Sequence, residues 1–112
     1  MATETSQVLN ATCPDCRGPL TQIKNGNLTE YRCLVGHRFS ALSALNQHCD
    51  AEEKALWAAV VALEETEALV DSMAGFLEPG LAERLRNQAQ DKKRLGDEVR
   101  GIIQRLQRFH TD

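Results

Sequence analysis

Two short ligand pairs constrain this chain more than any other feature: Cys13-Pro14-Asp15-Cys16, and Cys33-Leu34-Val35-Gly36-His37 beyond residues 17–32. Each pair sets two soft donors one backbone turn apart, so both can reach a single ion. The intervening stretch is one hairpin long, which brings the pairs to the same place. Three thiolates and an imidazole make a closed tetrahedral set, the preference of structural Zn²⁺. Cys13, Cys16, Cys33 and His37 are therefore the expected metal ligands, with one structural Zn²⁺ per chain as the expected cofactor. Pro14 stiffens the first turn, Gly18 is placed to let the chain leave it, and Gly36 does the same before His37.

A metal would answer a shortage of core. The chain has 112 residues, and aromatics make up only 4% of them, so any core is aliphatic and small. Small lobes remove too little surface from water to stabilise themselves easily. Structural zinc supplies roughly 10 kcal/mol or more, largely as folding energy.

Between the ligand pairs, residues 20–24 and 28–33 flank Asn25-Gly26, a dipeptide suited to the positive φ of a tight hairpin turn. Thr21, Ile23, Thr29 and Tyr31 favour strand. Residues 1–10 read as a loose leader, with Val8 and Leu9 entering a short strand. Ser40 can cap a short helix over residues 41–47. Asp50, three residues before Glu53, resembles a capping box and can start a long helix, or the two pieces can be continuous. Leu56, Val60, Leu63 and Val70 recur at helical spacing, with Trp57, Val61 and Leu69 broadening the stripe. Gly75 is a stop signal, and Glu78-Pro79-Gly80 marks a turn. A last helix is expected over residues 81–109, with Leu95, Val99, Ile102, Leu106 and Phe109 as a coiled-coil-like seam. Gly96 and Gly101 fall inside it, pointing to a bend or a close helix approach.

The expected fold is α+β, mostly α. A small zinc ribbon (a β-hairpin with two ligand turns) occupies residues 1–49, and a short helix ends that lobe. A long antiparallel α-helical hairpin fills residues 50–112. Charge supports the hairpin: residues 51–74 carry Lys54 against six acids, and residues 81–110 carry eight bases against four acids. Helices of opposite sign pair favourably.

Other chemistry is sparse. His48 and Cys49 compete as ligands, although adjacent residues seldom reach one metal with good geometry. Cys13-x-x-Cys16 also has the spacing of a redox dithiol, but without the strand-helix-strand context of that motif. The bases Arg84, Arg86, Lys92, Lys93, Arg94, Arg100, Arg105 and Arg108 suit nucleic acid in number, yet acids interrupt them and no aromatics interleave. Arg17, Arg32 and Arg38 are placed to offset the thiolate charge. Trp57 reads as core. No nucleophile–base pair, phosphate loop or paired-carboxylate constellation stands out, so no enzyme is expected. No segment resembles a signal peptide or a membrane span, which makes a reducing, cytoplasmic location the default.

The runs Cys13-Pro14-Asp15-Cys16-Arg17-Gly18-Pro19-Leu20, Tyr31-Arg32-Cys33-Leu34-Val35-Gly36-His37-Arg38-Phe39-Ser40 and Lys54-Ala55-Leu56-Trp57-Ala58-Ala59 resemble a bacterial zinc-ribbon module. It is the C-terminal extension of some chemotaxis protein-glutamate methylesterases, with small free-standing relatives. The resemblance covers roughly residues 12–74 and carries its ligand pattern to Cys13, Cys16, Cys33 and His37. It implies a bacterial chemosensory or two-component setting. The hydrolytic activity does not transfer, because receiver and methylesterase domains are absent from this chain.

The expectation is a non-enzymatic zinc-binding module for protein–protein interaction or regulation. A protein partner is expected, and a homodimer through the helices is a further expectation. A nucleic-acid-binding zinc ribbon is the first alternative and a zinc-thiol redox switch the second. No membrane and no small-molecule substrate are expected.

Overall fold

The computed structural model describes residues 4–106 and 108–109. The chain divides into two compact units, Met1–Ala51 with Arg108–Asp112, and Glu52–Gln107.

The first unit is built on a four-stranded antiparallel sheet in sequence order: β1 (Glu4–Thr12), β2 (Pro19–Asn25), β3 (Leu28–Cys33) and β4 (Arg38–Phe39). The expected hairpin is its centre, with Leu20 opposite Cys33 and Asn25 opposite Leu28. Its loop is Gly26-Asn27, one residue downstream of the expected Asn25-Gly26 turn. Gly26 takes the positive φ of 65° at the first loop position, a conformation open to a residue without Cβ.

The strand expected at Val8 and Leu9 is present, but it begins at Glu4 and runs nine residues in place of a loose leader. Glu4 through Val8 pair in register with Asn25 through Thr21, and the register shifts before Thr12 meets Pro19. Nearly every β1 residue is exposed, so main-chain pairing holds the strand rather than an apolar face. The core is compact: Cys13, Leu20, Cys33 and Phe39 are buried together, with Cys16, Tyr31 and Ala44 packed against them.

Ser40 caps a helix as expected, its Oγ accepting from Ser43 N–H at 3.3 Å. That helix, α1 (Ala41–Met73), runs unbroken for 33 residues. The short and long helices are thus one element, and Asp50 lies within it instead of starting a new one. The helix ends before Gly75, where Phe76 N–H returns to the Met73 carbonyl at 3.1 Å.

The second helix, α2 (Pro79–Arg105), begins two residues earlier than expected. Glu78-Pro79-Gly80 is a helix start: the Glu78 carboxylate accepts from Gly80 and Leu81 N–H at 2.9 and 3.0 Å, and Pro79 has no N–H to satisfy. Phe109 lies beyond the end of α2, so it cannot extend a helical seam.

Within Glu52–Gln107 the two helices run antiparallel. Arg100 meets Glu64, Lys93 meets Glu67 at 3.8 Å, and Arg86 meets Asp71 at 4.0 Å. The seam on α1 is Leu56, Val60, Leu63 and Val70, as its spacing predicts. The seam on α2 keeps Val99 and Leu106 of the expected one and replaces the rest. Its buried residues are Ala82, Ala89 and Gly96, at a seven-residue interval, flanked by half-buried Leu85, Val99, Ile103 and Leu106. Leu95 and Ile102 are exposed instead. A Cβ on Gly96 would stand 3.6 Å from Leu63 Cβ and 3.9 Å from the Val60 carbonyl oxygen, so here the helices approach closely. Trp57 is also not core. It is 43% exposed, with the Arg100 guanidinium 5.4 Å from the centre of its ring. No helix among the described residues is long and apolar enough to cross a membrane.

Candidate metal centre

Two tight turns present the expected ligands. In the first, Arg17 N–H bonds the Cys13 carbonyl at 2.9 Å and Cys13 N–H bonds the Gly18 carbonyl at 2.6 Å. The turn closes through Arg17, whose φ of 64° is unusual for a residue with a side chain. Gly18, expected to supply that freedom, lies outside the left-handed region. Its value is proximity: a Cβ there would come 3.5 Å from Cys16 Sγ, and its backbone N–H serves that sulfur. In the second turn, Gly36 N–H bonds the Cys33 carbonyl at 3.2 Å and Cys33 N–H bonds the His37 carbonyl at 3.1 Å. Gly36 does carry the expected positive φ, 111°.

The turns converge. The candidate donor atoms of Cys13, Cys16, Cys33 and His37 all lie within 4.8 Å of one another. Cys13 and Cys33 are buried, while Cys16 and His37 are half-buried. His37 aims Nδ1 at the sulfurs, 3.2 Å from Cys33 Sγ and 3.7 Å from Cys13 Sγ. Metal–ligand bonds of about 2.3 Å to sulfur and about 2.0 Å to nitrogen give a tetrahedral sulfur–nitrogen edge of about 3.5 Å. The two distances bracket that edge, so the donors fit a common ion.

The backbone prepares the sulfurs for charge. Burial pushes the Cys33 thiol up, but hydrogen bonds from His37 N–H, from Cys16 and from Val35 and Gly36 N–H outweigh it and bring the pKa to about 6. The His37 N–H to Cys33 Sγ contact is 3.3 Å. Cys16 moves the other way. Gly18 N–H favours its thiolate, but partial burial and the neighbouring Cys33 and Cys13 sulfurs raise its pKa overall. Sulfurs that push one another's pKa apart in this way invite a cation between them.

His48 and Cys49 do not join this group among the described residues. Both lie on α1: Cys49 is buried, and His48 lines an apolar cavity with Leu9, Leu20, Tyr31 and Leu45. Of the three arginines near the ligands, Arg32 is engaged by Glu30. Leu34 and Val35, between the second pair of ligands, are 85% and 76% exposed. Which imidazole nitrogen faces the sulfurs could not be read from the sequence. No protein-family model matches this chain, and no curated protein or solved structure is significantly similar to it.

Proposed function

We propose that Cys13, Cys16, Cys33 and His37 hold one structural Zn²⁺, and that the chain is a non-enzymatic module for protein–protein interaction or regulation. The observation that carries this reading is the convergence of three sulfurs and an imidazole within 4.8 Å. Thiolate and imidazole donors in tetrahedral array favour zinc, and four protein ligands leave no position for water or substrate. The metal's role is then to fold the sheet unit.

The helical unit supplies the partner surface. Leu95 and Ile102 stand seven residues apart on α2, both exposed, as are Val61 and Leu69 on α1. Apolar side chains repeated on a helix face suit a partner helix. The resemblance of the ligand turns and of Lys54-Ala55-Leu56-Trp57 to the methylesterase extension supports a bacterial cytoplasmic signalling setting.

The nucleic-acid alternative loses part of its motivation: Arg86, Lys93 and Arg100 face Asp71, Glu67 and Glu64. Native mass spectrometry of untagged protein tests the metal; one zinc per chain supports the reading, and a metal-free chain with a Cys13–Cys16 disulfide favours the redox switch. Affinity capture tests the partner surface. A signalling protein recovered by the wild type and lost with Ile102→Glu supports it, whereas salt-sensitive nucleic-acid binding replaces it.

A further inference from the structure

The two edges of the sheet are unlike. β4 is only two residues long, which blunts its side. β1 is the other edge, nine residues long, and among the described residues no strand pairs with the side facing away from β2. Exposed edges are usually protected by lysine, proline or inward-pointing charge. β1 has none of these: Glu4 is its one charged residue, and Thr5 through Thr12 are uncharged. Its only irregularity is the register shift after Val8, which leaves Glu4 through Val8 regular and fully paired with β2.

We propose that this regular stretch of β1 pairs antiparallel with the same stretch of a second copy, about a two-fold axis at Ser6, giving one continuous eight-stranded sheet. The sequence is self-complementary in that register. Ser6 faces Ser6, Thr5 faces Gln7, and Glu4 faces Val8. Hydroxyl meets hydroxyl or amide, and the two Glu4 carboxylates stand at opposite ends of the ladder, so no like charges oppose. Gln22 and Lys24, with Thr5, Ser6 and Gln7, line a polar cavity over the β1–β2 pair. The pairing uses none of the helix residues assigned to a protein partner, and it does not depend on that assignment.

Sedimentation equilibrium of the zinc-loaded chain, from low to high micromolar concentration, tests the proposal. The wild type is expected to dimerise, and Ser6→Lys to weaken the dimer about five-fold or more through the opposed charges. Ser6→Glu alone does the same. An equimolar mixture of Ser6→Lys and Ser6→Glu regains a dimer, because Lys then faces Glu across the axis. Ile102→Glu leaves the dimer intact, so failure here is distinguishable from failure of the helix-face reading. Amide hydrogen exchange on the wild type gives an independent readout, with protection of residues 4–8 that rises with concentration. A wild-type chain that stays monomeric at high micromolar concentration overturns the proposal. So does a dimer that survives Ser6→Lys, or concentration-dependent protection confined to α2.

Discussion

His37 Nδ1 lies 3.2 Å from Cys33 Sγ, and the backbone N–H of His37 lies 3.3 Å from the same sulfur. One residue therefore brings both a donor atom for a metal and a hydrogen bond that favours the neighbouring thiolate. Cys33→Ser removes a ligand and is expected to abolish stoichiometric zinc and unfold the sheet unit. His37→Cys is expected to keep the metal, because four thiolates also close a tetrahedral site. Zinc content by mass spectrometry, read together with far-UV circular dichroism, checks both. Full zinc occupancy in Cys33→Ser would remove that residue from the ligand set.

The pH dependence follows from the same pair. Cys33 has a folded pKa of about 6, below the thiol reference of 9.0. Its contribution to folding is present in full above the reference value and lost as pH falls through about 6. Zinc affinity is expected to fall more steeply below about pH 6, where Cys33 also takes up a proton. Cys16, whose pKa is raised, is expected to release its proton on metal binding. Competition with a chelator across this range reads the slope, and calorimetry in buffers of different ionisation enthalpy reads the proton.

Arg17 holds a φ of 64° in the first ligand turn. Left-handed backbone costs an L-residue roughly 1–2 kcal/mol that glycine avoids. Arg17→Gly is expected to stabilise the zinc-loaded unit by about 1 kcal/mol, and Gly36→Ala to destabilise it by a similar amount. Denaturant midpoints with zinc present check the opposite signs.

At Gly96 the space around a new Cβ is ordinary contact distance, 3.6 Å to Leu63 Cβ. Gly96→Ala is therefore expected to stabilise the helical hairpin by about 0.5–1 kcal/mol through helix propensity. Gly96→Leu forces the helices apart and is expected to cost about 1–3 kcal/mol. Thermal unfolding of the two variants separates space from propensity.

Arg100 serves two partners on α1, Trp57 through its ring and Glu64 through its carboxylate at 2.5–3.0 Å. All three are partly exposed, which keeps each interaction small. Arg100→Ala is expected to cost about 1 kcal/mol in total, and Arg100→Lys to recover less than half. A double-mutant cycle with Trp57→Leu isolates the ring contact, and a coupling of zero would dismiss it.

The convergence of the four donors and the helical pairing are legible because their signals are local. Ligand spacing needs only a turn, and opposite charges on successive helices need only a hairpin. β1 is legible only at Val8 and Leu9, because the rest of Glu4 through Thr12 lacks the apolar alternation of a half-buried strand; partner backbone makes it a strand. The sequence leaves the continuity of α1 through Asp50 open, since a polar residue can cap a helix or sit on its wet face. The α2 seam is legible only in Val99 and Leu106, because a pattern of large apolar residues does not mark where helices approach closely. Close approach selects small ones, which leave Leu95 and Ile102 outside.

The recurrence of Ala82, Ala89 and Gly96 inverts the usual map of mutational tolerance. In most domains the bulky aliphatic positions are the fragile ones. Along α2, a saturation scan for folding should find its most restrictive sites at the smallest side chains, each accepting little beyond alanine. The leucine and isoleucine on the outer surface should accept polar replacements freely. A comparison that scores only large hydrophobic positions would overlook what fixes the distance between these helices.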